Sequence, residues 1–151
     1  MAKLKIIPLG GLGEIGKNLT VYEYGQDIVI VDCGLGFPDE ELYGVDVVIP
    51  DITYLRQNAD RIRGMVITHG AIPYVLRELD IPIYATQLTA GIIELKLEEF
   101  DLLYNTQIFT KKAGDKFRLG CFEIEFIHVN HSIADSVALA IRTPVGTVVH
   151  M

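Results

Sequence analysis

The chain is short of cysteine, of long apolar runs and of basic charge, and each shortage closes off a class of protein. Two cysteines, Cys33 and Cys121, cannot make a disulfide framework, so a reducing compartment and two free, buried thiols are expected. No stretch approaches the roughly 20 consecutive apolar residues of a membrane-spanning helix. The longest, such as Ile28-Val29-Ile30-Val31, are strand-sized. The opening Met1-Ala2-Lys3-Leu4-Lys5 lacks the apolar core of a signal peptide, which points to the cytoplasm and away from the membrane. With 20 acidic and 13 basic residues the net charge is −7. That field disfavours a polyanion, and there is no long basic run, so any nucleic-acid surface must be local. Internal repeats, low-complexity segments and linkers are also missing.

What is present is a packed globule's composition: 151 residues, half of them hydrophobic, with a mean hydropathy of +0.31. That is enough for one domain with a real core. Strand-like segments are expected at 3–9, 19–24 and 27–31, with Gly25-Gln26 as a hairpin turn between the last two. Asp51 can cap a short helix over 52–58. A strand over 62–68 leads to His69, and Ile72, Val75, Leu76 and Leu79 then recur at helical spacing. A short strand at 82–85 precedes a second helix from Thr86 to about residue 100, with Leu88, Ile92 and Leu95 on one face. From 107 onward strand follows strand: 107–110, 116–119, 121–128, 136–142 and 147–150. Strands, then helices, then strands fit a layered α/β sandwich. The last strand reaches Met151 with no element after it, as though the chain were cut there.

Three features carry possible chemistry. Gly11-x-Gly13-x-x-Gly16 after a strand, with Asp32 ending a later one, mimics a dinucleotide-binding fingerprint. That fingerprint requires a helix directly after its last glycine. Here Leu19-Thr20-Val21-Tyr22 favours strand, and the 15 residues between Gly16 and Asp32 are too few for helix plus strand. A tight glycine turn between two strands is the simpler reading. Asp32 itself, at the end of a buried strand, needs hydrogen-bond donors or a cation; it either caps a loop or braces a metal-ligand loop. His69 and His131 both follow apolar strands into loops, where sites are commonly built. Two histidines far apart in sequence are not by themselves a zinc site, which needs at least about three converging ligands.

Taken together, several segments resemble the ribonuclease J family of metallo-β-lactamase and β-CASP nucleases. They are Leu9-Gly10-Gly11-Leu12-Gly13-Glu14-Ile15-Gly16-Lys17-Asn18; Phe37-Pro38-Asp39-Glu40-Glu41-Leu42 followed by Val48-Ile49-Pro50-Asp51-Ile52-Thr53-Tyr54-Leu55; and Val66-Ile67-Thr68-His69-Gly70 with Ile72-Pro73-Tyr74-Val75-Leu76-Arg77. Lys96-Leu97-Glu98-Glu99, His131-Ser132-Ile133-Ala134-Asp135-Ser136 and Gly146-Thr147-Val148-Val149-His150 complete the match. The resemblance implies an αββα sandwich, here its N-terminal half over residues 1–151, with a mixed sheet and helices on the outer face. It implies a metal-dependent hydrolase that cleaves RNA from the 5′ end and internally, with two zinc ions in the parent. His69 and His131 would be metal ligands and Asp32 would brace the ligand loop. Gly11, Gly13, Glu14 and Asn18 would line the cleft.

The departures are as informative. The family carries His-x-His-x-Asp-His from the first histidine, whereas here Gly70 runs straight into Ala71. The bridging aspartate, the last histidine ligand and the β-CASP insertion have no counterpart. His69 and His131 are therefore an incomplete ligand set, and the chain alone is expected to be inactive and to self-associate through exposed sheet. A non-catalytic domain of the same fold, or another hydrolase of that fold such as a thioesterase, is the alternative.

Overall fold

A computed structural model describes residues 1–36, 44, 48–69 and 74–151, with Tyr74 described by its backbone alone. It contains two sheets. The first has six strands in sequential order: β1 (Lys5–Gly10), β2 (Leu19–Tyr24), β3 (Asp27–Val31), β4 (Ile62–Ile67), β5 (Ile83–Ala85) and β6 (Ile108–Thr110). β1 to β3 pair antiparallel through hairpins, and β3 to β6 pair parallel through crossovers, so the sheet is mixed. The second has four antiparallel strands, in the order β10 (Gly146–His150), β9 (Val137–Thr143), β8 (Phe122–His128) and β7 (Lys116–Leu119).

Alternation along the central strands builds two cores from one sheet. In β3, Ile28 and Ile30 point one way while Val29 and Val31 point the other, and all four are fully buried. Such a strand is apolar at every position because both its faces are covered. On the helix side, Ile28, Ile30, Met65 and Ile67 pack with Leu55 of α1 (Thr53–Gln57) and with Ala90, Ile93 and Leu97 of α2 (Gln87–Glu99). On the other side, Val29, Val31 and Val66 meet Phe122, Ile124, Phe126, Leu139 and Ile141 of the second sheet. Helices, sheet and sheet thus form three layers.

Nearly every expected strand is present within one or two residues. The N-cap of α1 is Ile52 and not Asp51, which stands one residue earlier and accepts from the Thr53 N–H at 2.8 Å. α2 differs from expectation in its face. Leu88 and Leu95 are exposed and Ile92 is only half-buried, while Thr89, Ala90, Ile93 and Leu97 turn inward. Of the helix expected after His69, the described part is a single 3₁₀ turn, Tyr74–Arg77, with Val75, Leu76 and Leu79 buried. Its start at 71–73, and most of the long segment 35–50, lie outside the described residues. Among the described residues no helix is long and apolar enough to cross a membrane.

A charged cluster ties the hairpin edge to α1. The buried Glu23 carboxylate accepts from Lys5 Nζ at 2.8 Å, from the Tyr54 hydroxyl, and pairs with Arg61 at 3.0 Å. Burial alone would raise this carboxyl, but the three donors outweigh it and hold it at about 2. A depressed folded-state value means stability that is present above the ordinary glutamate range and lost as pH falls through it. Acid titration followed by circular dichroism should therefore show stability falling between about pH 4.5 and about pH 2. Glu23→Gln should flatten that part of the profile; an unchanged profile would count against the cluster.

Candidate functional site

The site lies at the ends of β3 and β4, where both strands run out into loops. Asp32 follows β3 in a left-handed conformation (φ 61°), which Asp tolerates better than most residues because its short side chain can bond locally. Its carboxylate points across to β4. Oδ1 accepts from the Thr68 backbone N–H and Oδ2 from the Thr68 hydroxyl, both at 2.8 Å. The Asp32 N–H in turn donates to the Val66 carbonyl at 2.9 Å. The Thr68 hydroxyl has one proton, and it goes to Asp32. With Asp32 ionised, that same oxygen, 2.7 Å from His69 Nδ1, accepts, which places the proton of a neutral His69 ring on Nδ1 and leaves the Nε2 lone pair free. Carboxylate, hydroxyl and imidazole thus form a line that fixes both the rotamer and the tautomer of His69.

His131 arrives from the loop between β8 and β9. Its ring stacks on that of His69, with centroids 5.3 Å apart and planes 28° from parallel. Its Nδ1 accepts from the Ile133 N–H at 3.3 Å, which puts the proton of the neutral ring on Nε2. The loop is sewn to the His69 side by the Val137 N–H, which donates to the Thr68 carbonyl at 3.0 Å. His128 is exposed and stands apart.

His150 is the residue that sequence reasoning passed over. It ends β10 on the inward side, alternating with exposed Val149. Its Nδ1 is 2.9 Å from the buried Tyr22 hydroxyl and its Nε2 is 3.8 Å from Asp32 Oδ2. Burial lowers its basicity against the pull of Asp32. Burial likewise pushes the Asp32 carboxyl upward, against the two Thr68 hydrogen bonds and the nearby imidazoles. Consecutive valines at 148 and 149 leave the inward face of β10 undecided in the sequence, so no local signal marks His150. Cys33, beside Asp32, is buried, and burial pushes its thiol up to about 11, an unreactive setting.

Two adjoining hollows share Asn18, Thr68, His69 and Met151 in their walls. One, of about 490 Å³, reaches His131 and Ser136; the other, of about 190 Å³, reaches Gly11, Leu12, Asp32 and His150. Asn18 stands in the walls of both hollows and Gly11 in those of the smaller. Gly13 and Glu14 are exposed and in neither wall; Glu14 accepts from the Gly11 N–H at 3.1 Å and pairs with Lys17 at 2.7 Å. Gly11 must be glycine: its φ is +85°, and a Cβ would lie 2.2 Å from Asn18 Oδ1. Gly16 is similarly bound, with φ +86° and the Leu35 carbonyl 2.6 Å from where a Cβ would stand. β2 begins at Leu19 and no helix springs from Gly16, so the dinucleotide geometry is not formed.

The donor set does not make a metal centre. The two matched imidazoles face each other in a stack, and among the described residues no three His, Cys, Asp or Glu side chains gather closely enough to hold an ion.

Layered sheets with a histidine cleft at the strand ends define a metallo-β-lactamase-fold protein, and solved structures agree. A protein of unknown function from Enterococcus faecalis V583 superposes over 97% of this chain and 42% of its own, with a TM-score of 0.73 at 17% identity. The metallo-β-lactamase fold protein YhfI from Bacillus subtilis covers 97% and 61%, with a TM-score of 0.61 at 18% identity. Zn(2+)-bound PqqB from Methylobacterium extorquens covers 84% and 49%, at 0.56 and 13%. No family model matches the chain.

In sequence the chain is related to ribonuclease J along nearly its whole length. It is 50% identical to ribonuclease J of Synechocystis over 97% of this chain and 24% of that protein. Against ribonuclease J of Helicobacter pylori it is 46% identical over 99% and 23%, and against ribonuclease J 2 of Staphylococcus aureus 37% over 97% and 28%. The chain spans about a quarter of the length of the curated relatives it matches. The Helicobacter alignment runs over 156 positions against 151 residues here, so that relative holds at least five positions with no counterpart in this chain.

Asp32→Ala should orphan two buried donors on Thr68, at about 1–3 kcal/mol each, and release the His69 ring. Denaturant unfolding should show the loss, and ¹⁵N spectra should change from Nδ1-protonated His69 to a mixture of tautomers. An Nε2-protonated His69 in the unaltered chain would refute this arrangement.

Proposed function

We propose that the chain is the N-terminal part of the metallo-β-lactamase domain of a ribonuclease J-type enzyme, a phosphodiesterase that acts on cytoplasmic RNA by 5′-to-3′ exonucleolytic and internal cleavage. The observation that carries this reading is the Asp32–Thr68–His69 line, which leaves the His69 Nε2 lone pair free for a cation, in a chain related to ribonuclease J over nearly its full length. In the parent, two zinc ions would complete the site as Lewis acids. Here His69 and His131 would be two of their ligands, Asp32 would brace the first, and residues 10–18 would wall the cleft.

The chain by itself is inactive on this reading, because two stacked imidazoles do not satisfy a zinc site that needs at least about three ligands. The gap between the ligand set and the family points to the block missing between Gly70 and Ala71. The same gap favours the second reading, a domain that keeps the fold without metal chemistry. Elemental analysis of the purified chain should find well below one zinc or manganese per chain. Release of nucleotides from 5′-monophosphorylated RNA should not exceed a protein-free blank. Inserting a block that supplies the absent His, Asp and His after Gly70 should raise metal content to at least one ion per chain. Unchanged metal content would overturn the placement of His69 in a ligand loop, and hydrolysis by the unaltered chain would overturn its inactivity.

The outer face of the second sheet carries exposed Ile127 and Val149 beside the charged Glu123, Glu125 and Arg142. The reading is that it pairs with a second copy. Light scattering should give a mass above 16.8 kDa that rises with concentration and falls with Val149→Lys. A constant monomer mass would refute it.

A further inference from the structure

The loop bearing His131 is held by an anchor whose role the site chemistry leaves unassigned. α2 starts without a local cap. Thr86 occupies the N-cap position but makes no side-chain capping bond, and the first turn has no acidic residue. The first N–H groups of a helix need acceptors from somewhere, and its N-terminus favours negative charge. Asp135, from the far loop, supplies both: its Oδ2 accepts from the Leu88 N–H at 3.2 Å. Its backbone carbonyl accepts from the Thr86 hydroxyl at 2.9 Å. The residue is therefore clamped at two points, and it stands in the left-handed region, φ 64°, where Asp, Asn and Gly are at home. The residues that follow Asp135 are bonded as well. The Ser136 hydroxyl donates to the Ile133 carbonyl at 2.7 Å, and the Val137 N–H to the Thr68 carbonyl at 3.0 Å.

We infer that Asp135 is a positioning residue: by docking the 129–136 loop on the N-terminus of α2 it sets the His131 ring against His69. Three residues separate Asp135 from His131, and among the described residues the loop is anchored outside itself at Thr68 and at the start of α2. Thr68 already fixes His69 through its side chain and holds β9 through its carbonyl. Without the α2 anchor the loop is held only at its ends, where His128 pairs with Val137, and its middle is free to shift, so the imidazole separation of 5.3 Å is no longer imposed. The importance of that spacing for a reaction rests on the reading of both histidines as parent metal ligands; the spacing itself does not.

The test is made on the chain without metal or RNA, so its outcome is separate from the fate of the nuclease reading. The readout is the nuclear Overhauser effect between the ring protons of His69 and His131. Asp135→Asn keeps an acceptor and the left-handed backbone and should retain the inter-ring signal. Asp135→Gly keeps the backbone but deletes the acceptor, and Asp135→Ala deletes the acceptor and strains the backbone; both should lose the signal. Ile93→Ala, a core truncation in the same helix, should lower stability and leave the signal in place. Signal retained in the Gly and Ala variants would overturn the inference. So would its loss in Ile93→Ala, or unfolding of both Asp135 variants while Ile93→Ala folds, because Asp135 would then hold the fold rather than the ring.

Discussion

The structure depends on a buried carboxylate at a strand end. Asp32 sits where the parallel pair β3–β4 runs out, with almost no exposed surface. A carboxylate in that position is costly unless its lone pairs are met. Both donors come from Thr68, one residue before the histidine of the cleft. One interaction therefore closes the end of the sheet, joins two loops that are far apart in sequence, and fixes the orientation and tautomer of His69. Much else at the cleft is arranged around it: the His150 ring approaches the same oxygen, and the Val137 N–H uses the carbonyl that Thr68 has left.

Around that point the packing is a consequence of period-two alternation in strands covered on both faces. β3 gives isoleucines to the helix layer and valines to the second sheet. The wide faces bury large side chains, and the loops at the strand ends are left to carry function, as is general for sheets of this kind. The arrangement explains why a ligand-poor chain still displays a well-formed cleft. The scaffold that orients His69 is backbone and core.

The strands and their order of use were legible, because alternation and continuous apolar runs report burial on one face or two. The hairpin at Gly25 and the glycine turn after β1 were legible for a related reason, since few residues other than glycine tolerate the backbone found at Gly11 and Gly16. The inward face of α2 was not. Leu88 and Leu95 suggested a stripe, yet the face turned to the sheet carries Thr89 and Ala90 with Ile93 and Leu97. Capping of α2 was also hidden, because its acceptor is Asp135, distant in sequence and near only once β9 is in place. At the site, His69 and His131 could be marked as strand-end histidines. His150 could not be joined to Asp32 before β10 was known to lie with its inner face toward Tyr22.

The sequence by itself determined the layered α/β class, the positions of most strands and the family resemblance, since these follow from local periodicity and from residues named one by one. Only the tertiary structure decided which donors satisfy Asp32, which nitrogen of His69 is free, how the two imidazoles face each other and what holds the His131 loop. Those outcomes turn on single hydrogen bonds between segments that meet only after the sheets have packed, and no local pattern encodes their geometry.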